Sequence, residues 1–206
     1  MNNRDKVVVV FIEGYTEVEF YKELVRIMRE HCGGKLSCSV ETINAAGIGQ
    51  YKRKVLGIFE KQIKPKYSDA DFYIALCYDQ DVFELGKNPP VNWNEIKEEF
   101  LKRGAKEVCQ IKAARSIEDW FLCDSEGVLR YLKLPADTKL PGGSGLCRLK
   151  ALFKRGKRVY IKGARTAGFV QALDVEKILA NICPGITPLC RLLGVKCGNQ
   201  KKCQQT

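Results

Sequence analysis

Apolar positions along the chain follow two rhythms. KVVVVFI at 6–12 and DFYIALCY at 71–78 are nearly continuous apolar runs of strand length, the pattern of strands covered on both faces. LSCSVETI at 36–43 alternates with period two and KEVCQIK at 106–112 reads as a fourth strand. Helical spacing fills the gaps. TEVEFYKELVRIMRE at 16–30 sets Phe20, Leu24, Ile27 and Met28 on one face and is closed by CGG. GQYKRKVLGIFEKQI at 49–63, VNWNEIKEEFLKRG at 91–104 and SIEDWFLCDSEGVLRYL at 116–132 are the next helices. Strand and helix in alternation predict an α/β fold with a mostly parallel sheet flanked by helices. After residue 138 the texture changes. LPGGSGLC at 140–147 reads as a connector, since it lacks the GK[ST] ending of a phosphate loop. A basic helix, a short strand RVYIK and helices near 166–181 and 186–193 follow. The expected organisation is one α/β domain at 1–138 with a basic, mainly helical extension at 139–206 packed on it.

Charge sharpens this division. Lysine and arginine number 35 against 24 acids, a net charge of +11. Residues 139–206 hold 14 of the bases and only two acids, Asp174 and Glu176. Such asymmetry suits a polyanionic partner, DNA or RNA, with Lys150, Lys154, Arg155, Lys157, Arg158 and Arg165 as candidate backbone contacts. A merely solvated basic surface is the competing reading. The ten cysteines include no CxxC pair, and the four in the last quarter are not spaced like a zinc ribbon or finger, so thiols are expected. The single histidine, His31, falls near a helix end, which excludes mechanisms built on several histidines. No apolar run approaches the roughly 20 residues of a membrane span. The start MNNRDKVVVV reads as no secretory signal, so a cytoplasmic protein with no membrane partner is expected.

Carboxylates collect where strands end. Glu13 closes the first strand, Asp79 and Asp81 the third, and Glu118 and Asp119 lie just past the fourth. In open α/β sheets this rim is where ligands bind. Acids gathered there repel, and a hard cation such as Mg2+, which takes oxygen ligands, would neutralise them. TEVE reads as a capping box, with Thr16 at the N-cap and Glu19 structural, which puts Glu17 in the first turn beside Glu13. Glu17 also reads as an acid favouring the helix dipole. SIED is a second capping box; it explains Asp119 and leaves Glu118 as the preferred ligand.

A strand ending in Glu-Gly, a helix with a second acid and a later strand ending in Asp-x-Asp resemble the Toprim (topoisomerase-primase) domain. The string EGYTE, YDQD, SIEDWFLCD and YIKG is most similar to Toprim nucleases of the overcoming-lysogenization-defect type and to small stand-alone RloB-like relatives linked to phage defence. The resemblance spans about residues 6–125. It implies a Toprim-like parallel sheet, phosphodiester chemistry dependent on Mg2+ or Mn2+, and two ions in the nuclease branch. Carried over position by position, Glu13 matches the leading glutamate, Asp79 and Asp81 the Asp-x-Asp, Glu17 the second acid, Glu118 or Asp119 the later acidic site, and Lys162 the late lysine. The chain departs from the family in having no ATPase domain, so it would act alone or with a separate ATPase or other defence partner, and in carrying Phe83 where topoisomerases have a third aspartate. The resulting expectation is a metal-dependent endonuclease. Glu13, Asp79 and Asp81 would hold one ion, Glu17 and Glu118 would help hold a second, and Lys162 would offset charge at the scissile phosphate. A non-enzymatic nucleic-acid-binding protein on the same scaffold and a Toprim ribonuclease that processes RNA are the alternatives.

Overall fold

The computed structural model describes residues 4–47, 51–80 and 91–196. Four parallel strands form one sheet: β1 (Lys6–Ile12), β2 (Ser39–Asn44), β3 (Asp71–Asp79) and β4 (Ala105–Ala113), in the order β2-β1-β3-β4. The fold is α/β with helices on both faces of the sheet, as the alternating pattern predicts. β1 and β3 are the central strands, which is why their sequences are apolar without interruption. Val8, Val10 and Ile12 enter one core and Val7, Val9 and Phe11 the other.

Helix α1 (Tyr15–His31) packs on the first face, and His31 ends it with Nε2 3.2 Å from Glu176. The second face carries α2 (Tyr51–Ile58), which runs through a wide turn at Phe59–Ile63 into Lys64–Lys66, and α3 (Trp93–Lys102). Past β4, α4 (Ile117–Phe121) and α5 (Ser125–Leu132) are divided by a tight turn at Leu122–Asp124 where one helix was expected.

The C-terminal portion departs from expectation in three places. The glycine-rich connector already contains the start of α6 (Gly145–Arg155), capped by Ser144. RVYIK is not a strand. It pairs with no strand among the described residues, and its alternation shows only in burial: Tyr160 points inward while Val159 and Ile161 face solvent. The two expected late helices are instead a turn at Val170–Ala172 and one helix, α7 (Val175–Leu193), that runs on through Pro184 and Pro188. Proline removes a helical hydrogen bond. Pro184 and Ala180, the residue whose carbonyl it frees, are both exposed, while Ile178, Ile182, Ile186 and Leu189 hold the opposite face in the core. Residues of α6 and α7 share the first core with the sheet.

Cys32, Cys38, Cys77, Cys109, Cys123 and Cys147 are free thiols, as expected, whereas Cys183 is disulfide-bonded. Burial pushes the Cys109 thiol up to about 12, so it packs as a small apolar group. Among the described residues no helix is long and apolar enough to cross a membrane.

Candidate active site

The strand order places a switch point between β1 and β3. The chain leaves β1 for β2 on one side, and beyond β3 it continues outward to β4. A crevice opens at the C-terminal ends of such neighbours. Glu13 follows the last residue of β1, and Asp79 is the last residue of β3. The two acids therefore stand at the same end of adjacent strands, in the one crevice the topology creates.

The local backbone explains how two further acids reach them. α1 starts two residues earlier than the sequence suggests. Gly14, not Thr16, is its N-cap and provides no side-chain cap, so Glu17 sits in the third helical position and turns back toward Glu13. Freed from capping, the Thr16 hydroxyl donates to the Ala164 carbonyl, and Glu19 accepts from Arg165 Nε at 2.8 Å. Neither TEVE residue forms the expected capping box. SIED also differs. Ser116 is the N-cap of α4, but its hydroxyl donates to Asp119 Oδ2 at 3.1 Å. The first free amide of that helix, Ile117 N–H, donates instead to Asp79 Oδ1 at 2.8 Å. Arg115, with φ of 65°, makes the turn that aims this amide at β3. Glu118, next along α4, is fully buried and accepts from the Tyr160 hydroxyl at 3.1 Å, while its Oε2 has no hydrogen-bond partner among the described residues.

One strap, residues 156–168, closes this cluster. Its Tyr160 reaches Glu118, and its Lys162 Nζ lies 2.7 Å from Asp79 Oδ2. The strap is fixed to the start of α1 by Tyr15 N–H donating to Gly163 O at 2.9 Å. Gly14 and Gly163 make this possible. A Cβ on Gly14 would stand 2.5 Å from Gly163 Cα, and Gly163 has φ of 77°. A cavity of about 420 Å3 lies between Glu13, Glu17, Asn44, Lys162 and the ring of Tyr15. A larger polar hollow, about 550 Å3, lies at the opposite end of the sheet around Arg4 and Tyr67 and contains no comparable cluster of acids.

The electrostatics follow from burial. Glu17 is held well above the usual glutamate range, first by desolvation and then by the charges of Asp79, Glu13 and Glu118, with Lys162 opposing. Tyr160 is likewise pushed up by burial and by Glu118, so it remains a proton donor. Because the folded value of Glu17 exceeds the unfolded one, its carboxyl destabilises the fold increasingly as pH rises from about 4.5 toward the raised value. Glu17→Gln should therefore melt higher than the wild type at neutral pH without divalent metal, with the difference vanishing below pH 4.5. Melting curves across pH, with and without Mg2+, check this.

Glu13, Glu17, Asp79, Glu118 and Lys162 are thus brought together, from 150 residues of chain. Asp81 lies outside the described residues, as does Phe83. Lys150, Lys154, Arg155, Lys157, Arg158 and Arg165 are all exposed. Arg155 also donates to the Lys139 carbonyl, Arg158 lies 4.4 Å from the Tyr131 ring centre, and Arg165 pairs with Glu19. The sequence reading missed Tyr160, Asn44 and the two touching glycines; the period-two inward placement of Tyr160 and Lys162 was the only available signal.

The donor set, all carboxylate oxygen, fits a hard cation in chemistry and charge, and the orphaned Glu118 oxygen fits an additional partner. Among the described residues no three acidic, histidine or cysteine side chains stand close enough to ligate one ion as they are, and Lys162 supplies the positive charge at Asp79. Comparison with family models, with curated proteins and with solved structures finds no match to this chain.

Proposed function

We propose that the chain is a divalent-metal-dependent nuclease of the Toprim kind, acting on DNA or RNA. The observation that carries this reading is the convergence of Glu13, Glu17, Asp79 and Glu118 with Lys162 at the switch point of the sheet. These four acids, with Asp81, would hold Mg2+ or Mn2+. Held by these residues, such an ion would supply a lowered pKa for water and polarisation of a phosphoryl oxygen. The protein's own groups have separate tasks. Ile117 N–H fixes the Asp79 carboxylate, Tyr160 fixes Glu118, and the Lys162 ammonium is positioned to neutralise charge that grows on a phosphate. The exposed bases of α6 and the strap would track the backbone without reading sequence.

The test is cleavage of labelled DNA and RNA with Mg2+, with Mn2+ and with EDTA. Cleavage that requires metal is expected. The Lys162–Asp79 ion pair favours one rival, a binding protein whose internal cation has replaced the metal. Such a protein would bind equally well in EDTA and cut nothing under any condition.

The basic surface gives a prediction independent of catalysis. Neutralising Lys154, Arg155, Lys157 and Arg158 together should lower the slope of log affinity against log salt by about 3 to 4. The loss should be alike for unrelated sequences. An unchanged slope, measured by fluorescence anisotropy in EDTA, would mean that the charge excess is only solvated surface.

A further inference from the structure

Three large aromatic or aliphatic side chains face outward around the site. Val159 is 79% exposed and Ile161 61%, and Tyr15, at the mouth of the acidic cavity, is 58% exposed. Each alternates with or adjoins a residue that points inward: Tyr160 and Lys162 on the strap, Thr16 and Glu17 on α1. The backbone here is held firmly, with Tyr15 N–H on Gly163 O and Ala164 N–H on Ile161 O. Their exposure is therefore set by the same hydrogen bonds that set the inward groups. The Tyr15 ring makes no ring contact among the described residues. Beside these apolar groups stand the cations of Lys157, Arg158 and Arg165.

A flat ring and two aliphatic side chains next to exposed lysine and arginine side chains match the two parts of an unpaired nucleotide, an apolar base face and an anionic backbone. A duplex offers the second part but buries the first. We propose that Tyr15, Val159 and Ile161 form a stacking platform for unpaired bases, so that the site takes single-stranded or locally opened nucleic acid in preference to intact duplex. This rests on the nucleic-acid reading above and specifies its substrate. Stacking on an aromatic side chain is sequence-tolerant, as are the phosphate contacts.

Binding to fluorescent oligonucleotides of about 12 nucleotides, single-stranded DNA, single-stranded RNA and duplex DNA, tests the idea in EDTA, where no cleavage intervenes. The wild type should prefer the single strands. Tyr15→Ala should weaken single-strand binding about tenfold and leave duplex binding within about twofold, and Tyr15→Trp should retain it. Val159→Ser with Ile161→Ser should weaken single-strand binding in the same direction. A 2-aminopurine base in the oligonucleotide should lose fluorescence on the wild type and keep it on Tyr15→Ala, a signal that a structural role of Tyr15 would not produce. Equal loss on duplex and single strand, or no loss, overturns the platform. A wild type that binds no nucleic acid removes the proposed substrate as well, whereas one that binds single strands through Tyr15 without cutting them removes only the nuclease.

Discussion

Glu13→Gln is expected to reduce metal-dependent cleavage more than about 100-fold while leaving the fold intact. The side chain keeps its size and loses only its charge. Its backbone carbonyl still accepts from Gly47 N–H at 2.9 Å, so the β1 end stays in place. One charge fewer in a group of mutually repelling acids relieves Glu17, whose carboxyl is raised in part by Glu13. The metal-free variant should therefore melt no lower than the wild type. Single-turnover cleavage at saturating Mg2+, beside a melting curve, separates the two effects. Wild-type cleavage by this variant would take Glu13 out of the site. Asp79→Asn is a less clean test, because Asp79 also anchors Ile117 and Lys162.

Gly14→Ala is expected to cost about 100-fold in cleavage, although Gly14 has no functional group. Its new methyl would lie 2.5 Å from Gly163 Cα and 3.2 Å from Gly163 O. Backbone cannot turn aside as a side chain can, so the strap must lift. Lifting it lengthens the Tyr15–Gly163 hydrogen bond and draws Lys162 from Asp79 and Tyr160 from Glu118. Stability should fall by about 1–3 kcal/mol, the usual cost of overpacking. Gly163→Ala is the informative partner. Its methyl meets only Gly14 Cα at 4.0 Å, but the residue sits at φ of 77°. It should therefore lose about 1 kcal/mol to backbone strain and keep most of its cleavage. Equal damage from both changes would mean that the contact between the glycines does not hold the strap.

What could be read from the sequence follows from how local each signal is. β1 and β3 were legible because strands buried on both faces need apolar residues at every position, and Val7 to Ile12 and Phe72 to Tyr78 supply them. The acids at strand ends were legible because a charge at the close of such a run has no packing role. The start of α1 was misplaced because Gly14 caps it without a side chain, leaving Thr16 as the apparent signal. Pro184 falls in the gap between the two expected helices, and the sequence does not reveal that it faces water while isoleucines anchor the other side of α7. RVYIK has a strand's alternation in burial but pairs with no strand among the described residues, and pairing is a tertiary fact. The contact of Gly14 with Gly163, and of Tyr160 with Glu118, joins segments far apart in the chain that nothing local connects.

The strap also sets an order of events during synthesis. All four clustered acids precede residue 119, and the ammonium that offsets them arrives only with residue 162. A growing chain that stops before the strap has the four acids but neither the lysine that faces Asp79 nor the tyrosine that holds Glu118. The pocket is thus complete only when the last segment of the site, the strap, has been made and has reached Asp79 and Glu118.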